Sequence, residues 1–211
     1  MEKILNPRFS LVRMLVILAV IVAVTAFAPV ERTLGENARL VYFHGAWVWA
    51  GKIAFAAAAI SGLVGLILRS SIWQRVSLSL GRTGMVFWLT YLPLSLYVQQ
   101  VNWGGIFWDE PRWRVPLMFG IVGLLLQAGL WLMNDLRLTS GANLVFGTLL
   151  WWMLGNIQNV LHPDSPILQS DAVRIQMFFA ALLALSLIFG VLLAGWLFRA
   201  DERSGAVSGP Q

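Results

Sequence analysis

The chain contains no cysteine. That excludes disulfides, thiolate metal sites, iron–sulfur clusters and a cysteine nucleophile, and it leaves the redox compartment open. Charge is scarce: 12% of the 211 residues are Asp, Glu, Lys or Arg, against 58% hydrophobic. With a mean hydropathy of +0.73, a soluble domain of this length has nowhere to bury so much apolar surface. Histidine is nearly absent as well, with His44 and His162 the two in the chain. No internal repeat or low-complexity tract is visible. No residue pattern suggests a nucleophile with its base or a paired acid/base site, so the sequence argues against an enzyme.

Long apolar runs are what the chain has instead. A bilayer-spanning helix needs roughly 18 to 20 apolar residues. Six runs meet or approach that need, at 11–29, 42–68, 78–98, 115–133, 141–160 and 172–199. The expectation is an all-α polytopic membrane protein of six transmembrane helices, forming one domain over residues 1–200. The tail, 201–211, is polar, ends in Gly and Pro, and is expected to be a disordered cytoplasmic segment. The first run has basic residues before it and "AFA" at 26–28, which resembles a signal-peptide cleavage site. Pro29 directly after the cut is a poor context, so a retained helix is expected.

Six spans place both termini on one side. The segments on that side hold Lys3, Arg8, Arg13, Arg69, Arg75, Arg82, Arg137, Arg199 and Arg203. The opposite segments hold Arg32, Arg39, Arg112, Arg114 and Arg174, and Lys52 lies inside the second run. Nine basic residues against five favour cytoplasmic termini. Segments 30–41, 99–114 and 161–171 then face outward. Both histidines arrive at that face, His44 opening helix two and His162 closing helix five. Between them in sequence lies "NWGGIFWDEPRW", with three Trp and a Phe beside two acids and an Arg.

Two imidazoles on facing elements can ligate one iron from opposite sides, and heme also needs flat apolar walls and cations for its propionates. Trp103, Phe107, Trp108 and Trp113 offer walls, and Arg112 and Arg114 suit carboxylates. Gly104 and Gly105 let backbone approach a flat ligand. Gln158 and Asn159 stand four and three residues before His162, where either could orient its ring. On a continuous helix five, Trp152, Gly155, Asn159 and His162 share a face. Plainer readings stand beside these. Trp and Tyr collect at bilayer interfaces in any membrane protein, a histidine at a helix end is often merely solvated, and Lys52 can snorkel.

The segments "YFHGAW", "WGGIFWD" and "NVLHPDSP", in that order, resemble the CcmC/CcsA heme-handling family of cytochrome c maturation, and most closely its six-helix CcmC branch. The resemblance spans residues 37–175. "WGGIFWD" is one residue shorter than the family's loop, with Ile106 or Phe107 where a central Trp is expected, and "EPRWRVP" replaces the usual basic-Leu-Thr continuation. The resemblance implies non-covalent heme b at the outer face of the bacterial cytoplasmic membrane. Its axial ligands would be His44 and His162, over a platform of Trp103, Gly104, Phe107, Trp108 and Asp109. It further implies presentation of that heme to maturation proteins of the membrane or to a periplasmic heme carrier, with no nucleic-acid partner. The rival expectation is a b-type cytochrome subunit anchoring a respiratory electron-transfer complex. Two histidines at one face allow at most a single shallow bis-His heme, which favours handling over electron flow across the membrane.

Overall fold

The computed structural model describes residues 7–158, 160, 167 and 171–207. Among them are six α-helices: α1 (Pro7–Ala26), α2 (Ala38–Ile67), α3 (Ser71–Trp103), α4 (Pro111–Met133), α5 (Leu136–Gly155) and α6 (Val173–Val207). The spans Ala38–Ile67, Pro111–Met133 and Val173–Asp201 are long and apolar enough to cross a membrane, and Ser10–Ala26 forms a shorter apolar stretch.

Local chemistry sets the breaks. Glu110 caps α4 by accepting the Arg112 N–H, with Pro111 in the first turn, where its missing N–H costs nothing. Asp135 caps α5 through the N–H groups of Arg137 (2.7 Å) and Leu138 (3.0 Å). Those bonds, Leu138's foremost, hold the Asp135 carboxyl below its ordinary pKa. α3 ends on Gly104, whose φ of +72° is the left-handed conformation that glycine adopts without strain.

α2 and α3 form the centre of the bundle. α2 packs against α3, α5 and α6; α4 lies against α3 and α5, and α1 lies against α6 and the edge of α2. The α2–α5 approach is close. A Cβ at Gly62 would stand 2.6 Å from the Ser140 carbonyl oxygen, and one at Gly147 would stand 2.7 Å from that of Phe55. Small residues that bring helix backbones together are the usual interface of membrane helices.

Several polar residues of α3 and α5 are internal. Ser77, Thr83, Ser140 and Asn143 are all buried. Ser77 donates to the Ala58 carbonyl at 2.8 Å, and Asn143 donates to the Ser77 carbonyl at 2.9 Å. The buried Ser77 hydroxyl and Asn143 amide are thereby compensated. At the end of the bundle where α1 starts, Arg199 donates to Ser10 at 3.0 Å, and Arg82 lies 3.6 Å from Asp201.

Of the boundaries that differ from the sequence expectation, four change where particular residues sit. α3 begins at Ser71, so the expected 69–82 connection shrinks to 68–70, and Arg75 and Arg82 ride on the helix. The cause is side-chain bonding that the apolar pattern does not show: Gln74 donates to the Gly65 carbonyl at 3.1 Å, and Ser77 is bound as above. α2 starts at Ala38, which puts His44 in the second turn rather than at the opening. α5 stops at Gly155 rather than near 160. The Asn156 side chain donates to the Trp152 carbonyl at 2.7 Å, competing with helix continuation. α6 runs on to Val207, into the segment expected to be a disordered tail.

Candidate functional site: a cavity at one end of the bundle

Where α2 and α4 begin and α3 and α5 end, the helices leave a cavity of about 250 Å³. Its lining comes from every helix but α1. His44, Val48, Trp49 and Lys52 come from α2, and Trp88, Tyr91, Ser95, Gln99 and Trp103 from α3. Arg112, Trp113 and Pro116 come from α4, Leu154 from α5 and Phe179 from α6. Glu110 and Ile157 close the rim from the connections.

The helices position these groups by ordinary packing. His44 lies against Tyr91 with ring centroids 5.0 Å apart. Trp88 is fully buried and donates its indole N–H to the Pro116 carbonyl at 2.9 Å, tying α3 to α4 below the cavity. Gln99 accepts the Phe107 backbone N–H at 3.0 Å and so holds the α3–α4 loop. Trp113 is buried, and its indole N–H has no hydrogen-bond partner among the described residues. Lys52 places its ammonium 4.0 Å from the centre of the Trp49 ring and 4.7 Å from that of Trp151. Two aromatic faces accommodate a cation within a helix where bare hydrocarbon does not.

The residues singled out from the sequence divide into three groups. His44, Trp103, Trp113 and Arg112 share this cavity. Phe107, Trp108, Asp109 and Arg114 do not line it. Trp108 is 59% exposed and touches the site only through Trp113, at a centroid distance of 6.2 Å. Asp109 and Arg114 pair with each other at 3.6 Å on the outside of the loop. Gly104 caps α3, and Gly105 stands in open space. Gln158 is exposed and non-helical, so the expected helical face running from Trp152 toward His162 ends at Gly155. Asn159 and His162 lie outside the described residues.

Sequence reading missed the α3 contribution. Trp88, Tyr91, Ser95 and Gln99 recur at intervals of three and four, one helix face in an otherwise apolar run. That polar stripe was a readable signal. Glu110, one of the two acids of the loop, also lines the rim.

The chemistry on offer is specific. An imidazole sits on an aromatic wall, with more rings around it. Among the lining side chains, two cations, Lys52 and Arg112, face one carboxylate, Glu110. An apolar, aromatic lining with a few convergent polar groups is the usual makeup of a small-molecule site. Among the described residues no three His, Cys, Asp or Glu side chains gather, so no metal site built wholly from protein ligands is present there.

No protein-family model matches the chain. Over 95 residues, 44% of this chain, it is 28% identical to a "ccmC-like" mitochondrial cytochrome c biosynthesis protein of Marchantia polymorpha. The matched stretch covers 42% of that relative, so this chain aligns with less than half of the relative's length.

Proposed function

We propose that this is a polytopic heme-handling protein of the CcmC type. It would hold heme b non-covalently at the outer face of the bacterial cytoplasmic membrane and present it during cytochrome c maturation. The observation that carries the reading is the placement of His44, Trp103, Trp113 and Arg112 around one cavity at one bundle end. The partial likeness to a ccmC-like protein supports the same reading.

In this proposal the His44 imidazole supplies one axial nitrogen and His162 the other, with Gln158 and Asn159 orienting His162. Bound heme supplies the iron and the flat macrocycle that the acceptor apocytochrome needs. Trp103 and Trp113 wall the ring, and Arg112 meets a propionate at the rim, where a guanidinium binds carboxylate bidentately. Gln99 fixes the loop that carries the rim. The partners are membrane proteins of the maturation machinery or a periplasmic heme carrier, and the role is binding and hand-over rather than catalysis.

Reduced and oxidised absorption spectra of the detergent-purified protein test this. Heme should co-purify with a six-coordinate, low-spin spectrum. His44→Ala and His162→Ala should each lose heme or change its coordination. Full heme with an unchanged spectrum in either variant refutes the ligand assignment, and absence of heme from the wild type refutes the function.

A further inference from the structure

A second hollow lies between α4 and α5 and shares no lining residue with the histidine cavity. Its volume is about 640 Å³. Met118, Phe119, Val122 and Leu126 of α4 form one wall. Leu138, Gly141, Ala142, Val145, Leu149 and Met153 of α5 form the other. One charged residue lines it, Arg137, at the end where α5 begins.

We propose that this trough is a binding site for one acyl chain of an anionic glycerophospholipid, whose phosphate is held by Arg137. Dimensions, charge and open space each support that occupant. From Leu138 to Met153 the α5 stripe rises through fifteen residues, about 22 Å at 1.5 Å per residue. One leaflet of bilayer hydrocarbon is about 15 Å deep, so the trough takes a chain along its full depth. Val122, Val145 and Leu149 are exposed on a helix pair that includes a segment able to cross a membrane, so the trough opens sideways. Arg137 sits on the first turn after the 134–135 link, the level at which phosphates lie. Its guanidinium is exposed and forms no ion pair with a described residue; the nearby Asp135 carboxylate gives one oxygen, Oδ1, to the helix cap, and the Arg137 charge is the smallest of the influences on that carboxyl. At Gly141, a Cβ would meet nothing within 4 Å. The groove floor is therefore open space that the protein itself does not fill.

The test is native mass spectrometry of the full-length protein in detergent, titrated with phosphatidylglycerol or phosphatidylcholine of identical chains. Wild type should bind phosphatidylglycerol about five- to tenfold more tightly, because both headgroups carry the phosphate but phosphatidylcholine adds a cation beside Arg137, a difference of one net charge near a membrane surface. Arg137→Gln should remove the preference and keep residual binding of both lipids. Gly141→Leu should fill the trough and weaken both. Equal binding of the two lipids by wild type, or unaltered preference in Arg137→Gln, overturns the proposal. A dimer that Gly141→Leu abolishes also overturns it, in favour of a second copy as occupant. Arg137 is an exposed surface residue, so its variant reads out lipid binding even if Gly141→Leu destabilises the fold.

Discussion

Trp103, the last residue of α3, and Trp108, in the loop that follows, stand five positions apart, and both are substantially exposed, at 43% and 59%. Replacing either by Ala should cost the fold little and by similar amounts. They differ in one respect: Trp103 lines the histidine cavity and Trp108 does not. If a ligand covers about a third of a Trp side chain of roughly 200 Å², the lost contact is about 60 Å². At about 25 cal/mol per Å² that is about 1.5 kcal/mol, or roughly tenfold in affinity. The assay is transfer of heme from each purified variant to a soluble heme scavenger, scored as the fraction retained at equilibrium. Trp103→Ala should retain heme about tenfold more weakly, and Trp108→Ala should stay near wild type. Equal retention in both would mean that the cavity wall is not where heme binds, and would refute the placement of the site.

Gly62→Ala and Gly147→Ala should each destabilise the bundle by about 1–3 kcal/mol, because backbone carbonyls must move aside, while Gly155→Ala, with nothing within 4 Å of its Cβ, should be near neutral; thermal unfolding in detergent reads the contrast. Asn143→Ala should cost about 1–3 kcal/mol by stranding the buried partners around Ser77, read in the same way. Single cysteines at Ser71 and Gly105, treated with an impermeant thiol reagent on intact cells, should label at 105 and not at 71; the reverse would invert the proposed orientation. The Glu31 carboxyl is held below its ordinary pKa chiefly by the Leu34 N–H. A depressed folded pKa gives stability that is present above the unfolded value and lost as pH falls through the folded one, so Glu31→Gln should flatten any loss of stability between about pH 5 and 3.

The all-α architecture was legible because apolar run length reports helices directly. Boundaries were less so, for a common reason. At Ser71–Arg82 and at Asn156, hydrogen bonds between particular side chains and distant or local backbone decide where the helix runs, and hydropathy does not carry that information. Gln74 extends α3 by bonding across to α2, and Asn156 shortens α5 by bonding back onto it. The site was half legible. His44 and Arg112 stood out through scarcity and charge. Tyr91, Ser95 and Gln99 were readable, with Trp88, as a stripe at intervals of three and four, but the sequence does not say which neighbouring helices that stripe meets.

The placement of His44 changes what the tryptophan loop is for. Read as a sequence, the loop is a platform with the histidine at its edge. In the structure His44 lies in the second turn of α2, against Tyr91 of α3. The surrounding walls are mostly helical: Val48, Trp88, Tyr91, Trp113 and Phe179. The connecting loop contributes a rim, pinned by Gln99 and tipped with an Asp109–Arg114 pair that points outward. A ligand that needs His44 must therefore enter between helices, not lie on the loop. Trp108, exposed but stacked edge-on to the buried Trp113, is then placed to be touched from outside while its neighbour touches the cavity. A protein that hands over its cargo needs such a boundary, with one ring facing the ligand and the next facing the acceptor. On this view Trp108→Ala should leave heme retention intact while slowing transfer to an acceptor several-fold, the scale of one aromatic contact of about 0.5–1.5 kcal/mol. Stopped-flow transfer kinetics beside equilibrium retention separate the two quantities. A Trp108→Ala protein that transfers at the wild-type rate would reduce the outer tryptophan to a membrane-interface anchor.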